Sequence, residues 1–368
     1  MRDGAISIAR AIAIILMVIG YSACPSFLHD LIYQFHIPLF FFFSGYCFKD
    51  KYLSDFRTYA VRRVTGVYVP YVKYAVLFLL FHNVFYELNI YNGIYGYQGV
   101  ASSLYSLPDF TARLFKITTA MAGEEQLLGG YWFMKILFLT SFVGYFFYRF
   151  LKGLKSQLAG LLVLYLFVLF LAKSDSLSAF WYSVSLTCFA TIFFVAGKMA
   201  ASYKVPQNIW FTLVCAVGVT ALSIINPAGF TTKENIMLYA IGALFGILAV
   251  KNISVYIQKV PGINSMMTFI GNNTLSILTW HFLSFKLVSL LIIKIYDLPI
   301  ELLASFPVIA EYSSDGWWVA YSIVGVVLPL CAVMVGKRVT QYVAFVISKN
   351  SQKQDVKRIV YGGNKDRY

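Results

Sequence analysis

Apolar residues along this chain come in continuous runs, without the strict alternation of a half-buried strand, and ten of the runs are roughly 15 to 25 residues long. They fall near residues 5–23, 31–48, 66–86, 130–150, 158–172, 179–197, 208–225, 235–250, 265–293 and 317–346. Period cannot separate helix from strand in such runs, but length can: about 20 residues rising 1.5 Å each cross a hydrocarbon core of roughly 30 Å. Barrel strands would alternate lipid-facing and lumen-facing residues, and these runs do not. The expected fold is therefore all-α: a polytopic integral membrane protein of about ten transmembrane helices. No fixed-period repeat and no matched pair of broken helices divides the chain. Residues 1–346 read as one transmembrane domain and residues 347–368 as a basic tail.

Composition agrees. Of 368 residues, 59% are hydrophobic and only 12% charged, and the mean hydropathy is +0.70, which excludes an ordinary soluble domain. The net charge of +14 would raise nucleic acid as a partner in a soluble protein, but its distribution gives another reason for it. On one side, the connections 49–65, 149–155, 198–204 and 251–259 and the segment 337–368 carry twenty Lys and Arg. The other side carries five (Arg113, Lys116, Lys173, Lys233, Lys294), and its 295–316 connection is acidic. By the positive-inside rule both termini are cytoplasmic, and no nucleic-acid partner is implied. The first run is not a signal peptide, because Arg10 interrupts it and the next run follows within ten residues. Five scattered cysteines suggest neither a disulfide framework nor a metal site.

The spans hold seven basic or imidazole side chains and no acidic one well inside. A charge in hydrocarbon is costly, so Arg10, Lys73 and Lys135 are expected to face a polar interior and an anion. Arg10 and Tyr21 are eleven residues apart, three helical turns plus roughly 20°, so they share one face about 16 Å apart in depth. A snorkelling arginine and an interfacial tyrosine would give the same positions. His36, in Phe35-His36-Ile37-Pro38, His82 and His281 all fall in the outer half, His36 close to the depth of Tyr21. Arg62, Arg63 and Lys73 mark the cytoplasmic boundary, where they suit phosphate oxygens or lipid headgroups. Tyr131-Trp132-Phe133, with Lys135, fits either an aromatic platform for a sugar or an interfacial belt. Glu124 and Glu125 read as a solvated loop face, and Asn272-Asn273-Thr274 as polar helix-packing residues.

Four pieces in order resemble the membrane-bound acyltransferase family 3, which includes bacterial O-acetyltransferases of cell-surface glycans. They are Arg10 with a polar residue eleven positions on, Pro38-Leu-Phe-Phe-Phe-Phe-Ser44-Gly45-Tyr46, Tyr131-Trp132-Phe133, and Ser276-Ile-Leu-Thr-Trp280-His281. The resemblance implies an enzyme of the bacterial inner membrane with no permanently bound cofactor and no metal. It would move an acetyl group from acetyl-CoA to a hydroxyl of a surface glycan or lipid-linked sugar. Phosphates of the acyl-CoA would meet Arg62, Arg63 and Lys73; Tyr131, Trp132 and Lys135 would hold the acceptor; and Arg10, Tyr21, His36 and His281 would form the catalytic set. The family pattern has a histidine where this chain has Tyr21, and a phenol with a pKa near 10 is a poor base at neutral pH. The base then falls to His36 or His281, or the chain is a catalytically silent homologue. A transporter or flippase of an anionic lipid-linked sugar would want the same basic interior. A homo-oligomer is compatible with the sequence.

Overall fold

The computed structural model describes residues 4–97, 101–123, 125–174, 176–203, 205–227, 229–231 and 235–362. Glu124, Lys233 and residues 363–368 of the tail lie outside them. Helices α1 (Gly4–Tyr21), α2 (Ser26–Tyr33) and α3 (His36–Tyr46) open the chain. Then come α4 (Phe56–Leu80), α5 (His82–Glu87), α6 (Leu107–Ala120) and α7 (Trp132–Phe150). Helices α8 (Leu154–Ala172), α9 (Ala179–Ser202), α10 (Ile209–Ile225) and α11 (Ile236–Ile257) follow. The last are α12 (Pro261–Asn272), α13 (Thr274–Ile295) and α14 (Trp318–Gly362). Among the described residues there is no strand. Eight helices are long and apolar enough to cross a membrane, and α10 is a shorter apolar helix.

Three of the runs expected as single spans are broken: 66–86 between α4 and α5 at Phe81, and two others whose breaks serve the interior. The run 31–48 is α2 followed by the eleven-residue α3. In a continuous helix the ring of Pro38 would strike the carbonyl of Gln34. The chain instead leaves helical geometry at Phe35 (φ −143°) and restarts at His36. The run 265–293 breaks between α12 and α13 at Asn273 (φ −116°, ψ 22°). The Asn273 side-chain amide donates to the Phe269 carbonyl at 2.7 Å, satisfying a helix-end acceptor that would otherwise cost free energy in an apolar setting. The neighbouring Asn272 accepts from the Ser7 hydroxyl at 3.4 Å. At the C-terminal end, α14 continues beyond residue 346 to Gly362.

Close backbone crossings lock the bundle. A Cβ on Gly45 of α3 would lie 1.8 Å from the Phe194 carbonyl oxygen of α9, and one on Gly197 of α9 would lie 1.9 Å from that of Phe42. A Cβ on Gly271 would meet the Ser7 carbonyl oxygen at 1.8 Å. Without a hydrophobic drive between helices in lipid, such small-residue contacts carry the packing. The crossings fix α3 against α9 and the α12–α13 break against α1. The space left among α1, α3, α4, α7 and α13 is a cavity.

Candidate active site

The cavity is about 630 Å³ and runs along α1. Arg10, Ile14, Met17 and Tyr21 all line it, as a stripe with helical spacing must, so the face inferred from residue counting is the face that meets the cavity. At one end are Ser7, Arg10, Lys49 and Arg63, with the exposed Cys47 beside them. Near the other end are Tyr21, His36, Gly130 and Trp132. Most of the wall between is apolar, including Phe40, Phe133 and Leu278.

Arg10 owes its position to the α12–α13 break. Its guanidinium donates to the Thr274 hydroxyl at 2.9 Å, at the first residue of α13. A guanidinium carries five N–H donors, and an anion is the acceptor it suits best.

The other end gathers two histidines around Tyr21, and their surroundings differ. His36 Nδ1 lies 2.8 Å from the Ile32 carbonyl oxygen. A carbonyl only accepts, so Nδ1 carries a proton and Nε2 of the neutral ring is left to accept one. Pro38 makes this bond possible by ending α2 before His36. His36 lines the cavity. His281 is fully buried and shares its Nδ1 proton between the Ile277 and Leu278 carbonyls, each at 3.0 Å. Its Nε2 is enclosed without a hydrogen-bond partner. Phe282 and Phe285 pack against the ring, 3.9 and 5.7 Å away between centroids. Tyr21 stands between His281 (5.8 Å) and Tyr33 (6.4 Å), and Tyr33 in turn contacts His36 at 4.9 Å. The Trp132 side chain is within hydrogen-bonding reach of the Tyr21 hydroxyl.

Several sequence expectations are not met by the positions of the side chains. Lys73, expected to face the interior, is on the exposed side of α4, its ammonium 5.2 Å from the Tyr74 ring centroid. Arg62 is exposed and donates to the Tyr52 hydroxyl at 3.2 Å. Of the three residues assigned to phosphate, Arg63 alone lines the cavity, while it also lies 5.0 Å from the Tyr59 ring centroid. Tyr131 is buried, bonded through its hydroxyl to Thr279 at 2.7 Å and packed on Tyr71, so it is a structural residue here and no platform. Trp132 does line the cavity, and Lys135 lines a separate one.

His82 is not at this cavity. Its Nδ1 lies 2.7 Å from the Glu125 carboxylate and its Nε2 lies 2.9 Å from the Ser103 carbonyl oxygen. Tyr105 stacks on the ring at 3.3 Å. Glu125 is therefore a fully buried partner of His82, not a solvated loop carboxylate. Burial raises its pKa above the ordinary carboxylate value, and the bond from His82 opposes that. Sequence reasoning also passed over Lys286, which is buried in α13 and donates to the Ser305 carbonyl at 2.7 Å. Its signal was available, as an unassigned lysine inside an apolar run. Among the described residues no group of three or more His, Cys, Asp or Glu side chains could hold a metal ion.

No curated protein and no solved structure matches the chain. The model of a family described as an acyltransferase domain matches residues 3–336, which takes in every element of the cavity. With its all-α membrane fold and the ordered motifs that line this cavity, the chain belongs to the membrane-bound acyltransferase family 3.

Proposed function

We propose that this membrane acyltransferase moves an acetyl group from acetyl-CoA to a hydroxyl of a cell-surface glycan or its lipid-linked precursor, in the inner membrane of a bacterium. The observation that carries the reading is one cavity with a basic end at Arg10, Lys49 and Arg63 and an imidazole end at His36. An acyl-CoA is a highly charged phosphate head on a thin, weakly polar arm that ends in a thioester. The basic end suits the head, the apolar wall suits the arm, and the histidine end suits the reacting group. With the basic side of the chain cytoplasmic, the donor comes from the compartment that holds it.

His36 is the base in this reading. Its Nε2 takes the proton of the acceptor hydroxyl as the oxygen attacks the thioester carbonyl. The carbon–oxygen bond forms, the tetrahedral intermediate collapses, and the carbon–sulfur bond breaks. The leaving thiolate recovers the proton from His36, so the ring returns to its starting state. Tyr21 has a different part from the family histidine. With the Trp132 side chain in hydrogen-bonding reach of its oxygen, the phenol keeps its own proton to donate to the developing oxyanion. A family base replaced by a phenol also favours a second reading, a homologue that binds acyl-CoA without turnover.

The test is transfer of radiolabelled acetyl from acetyl-CoA to glycan in membranes containing the native chain, with Tyr21→His run beside it. Ester-linked label in the native sample supports the enzyme and shows that Tyr21 permits turnover. Label in the variant alone would make the native protein a silent homologue. Silence in both, with labelled acetyl-CoA neither bound nor consumed, would sink the proposal.

A further inference from the structure

A second cavity of about 360 Å³ lies beside the first and shares one wall residue with it, Trp132. Its lining comes from α7 (Trp132, Lys135, Ile136), α9 (Tyr182, Ser183, Leu186), the turn after α6 (Met121, Ala122), and Phe230. These segments lie at the Tyr21 and His36 end, since α7 begins there and α9 runs beside it from its own first turn.

Lys135 is the charge in this cavity. It is half-buried within a membrane-crossing helix, one turn from its start. Among the described residues no carboxylate, hydroxyl or carbonyl is bonded to its ammonium, and no ring accepts it. The other intramembrane lysine of this end, Lys286, has the Ser305 carbonyl; Lys135 has no such internal answer. A half-buried ammonium within a membrane-crossing helix favours an anion beside it. Its polar neighbours are hydroxyls. Ser183 spends its proton on the Ala179 carbonyl at 2.9 Å, while Tyr182 can donate to an anion. Trp132 and Phe230 supply aromatic wall, their rings near-parallel at 6.3 Å between centroids, of the kind against which the C–H face of a sugar packs.

We propose that this second cavity is the acceptor subsite, and that it takes a lipid-linked sugar through the phosphate at the sugar–lipid junction. Lys135 is the counter-ion of that phosphate and Trp132 is the wall that sets the sugar beside the main cavity. The inference rests on the acyltransfer reading above and narrows it, since it makes the acceptor an anionic lipid-linked sugar and excludes the finished neutral polysaccharide. The same geometry explains the single residue common to both cavities: Trp132 touches the acceptor on one side and reaches the Tyr21 hydroxyl on the other.

Equilibrium binding to the full chain in neutral detergent, with no acetyl-CoA present, tests the proposal. The probe is radiolabelled farnesyl phosphoglucose, a small lipid-linked sugar. Lys135→Met should weaken binding by about tenfold or more and Lys135→Arg should restore it to within about threefold, as expected for one charge-assisted phosphate contact. Farnesol should compete poorly, and dihexanoyl phosphatidylglycerol at least about tenfold less well than unlabelled probe. Wild-type affinity in Lys135→Met overturns the proposal. Equal competition by the phosphatidylglycerol also overturns it, because the site would then hold an ordinary phospholipid headgroup. Acetyl-CoA binding and thermal melting of both variants establish that the bundle is intact. As no turnover is read, failure of acetyl transfer and failure of this subsite are separate results.

Discussion

The rings of Tyr21 and His281 stand 5.8 Å apart, centroid to centroid, with Tyr21 at the cavity wall and His281 enclosed behind it. A base must reach the proton it removes, and His281 has Tyr21 in front of it and Phe282 and Phe285 around it. His36, with Tyr33 beside its ring, lines the cavity itself. The roles should separate in kcat. His36→Ala should lower acetyl transfer by at least about a hundredfold, and Tyr21→Phe by about tenfold or more through loss of one donor to the oxyanion. His281→Leu, close in volume, should keep transfer within about tenfold. Near-normal turnover in His36→Ala, or collapse in a folded His281→Leu, would exchange the two assignments.

Arg10 donates to the neutral Thr274 hydroxyl, and replacing it removes a charge from the cavity. Arg10→Ala should fold, melt close to the native temperature, and bind acetyl-CoA about tenfold or more weakly, the value of a hydrogen bond to a charged group. Wild-type donor affinity in this variant would leave Arg10 as a snorkelling side chain with no ligand to hold.

Cys47 gives a test of which end the donor uses. It is exposed and lines the cavity beside Lys49 and Arg63, whereas Cys24 and Cys215 are buried. In sealed inverted membrane vesicles, a membrane-impermeant maleimide should label Cys47, and millimolar acetyl-CoA should slow the labelling several-fold. Labelling of right-side-out vesicles instead would invert the orientation read from the lysine and arginine distribution. Cys47→Ser should retain transfer, since no step uses the thiol.

The Arg10 and Tyr21 stripe was legible in the sequence because a helix converts an eleven-residue spacing into one face whatever surrounds it. The break before His36 was partly legible for the same kind of reason, since Pro38 cannot complete a helix back to Gln34. Lys73 was misjudged because its part of α4, Val69–Leu80, is otherwise apolar on all sides. Lipid and protein interior ask for the same residues, so the pattern carries no sign of which face turns inward. The break at Asn273 had no proline to announce it, and Gly271 beside it marks a close crossing whose partner, Ser7, the sequence does not name. It depends on Ser7 and Arg10, which are more than 260 residues away in the chain. The pairing of His82 with Glu125 was hidden likewise, as a carboxylate in a polar loop looks solvated until tertiary structure buries it.

The crossing of α3 and α9 should be intolerant of a single methyl group. Gly45→Ala and Gly197→Ala each put a Cβ inside contact distance of a backbone carbonyl that has no side chain to swing away. Overpacking of this kind costs about 1–3 kcal/mol. Because α3 carries His36, Phe40 and Ser44 into the cavity, transfer should fall as the melting temperature in detergent falls. Gly66→Ala, where the new Cβ meets nothing within 4 Å although the residue lies at the cavity, is the control. Unchanged melting in Gly45→Ala would mean that α3 can slide away from α9 without loss.

The buried pair of His82 and Glu125 should give the fold a pH dependence of its own. Both ring nitrogens face acceptors, so the pair needs two protons when Glu125 shares them: one on Nε2 for Ser103, and one between Nδ1 and the carboxylate. Burial raises the Glu125 pKa above its ordinary 4.5. A raised value means that the folded chain holds this proton more tightly than the unfolded chain. The stability it contributes is then full below about pH 4.5 and is lost as the pH climbs through the raised value. Melting temperature should decline across that window. Glu125→Gln should flatten the decline, because its amide donates to Nδ1 of a neutral ring while Nε2 still serves Ser103. His82→Ala should destabilise by about 3 kcal/mol or more at neutral pH, since it takes the hydrogen-bond partner from a buried carboxylate. A Glu125→Gln profile that superimposes on the native one would show that the proton is not held by this pair. The decline would then have to come from another buried group.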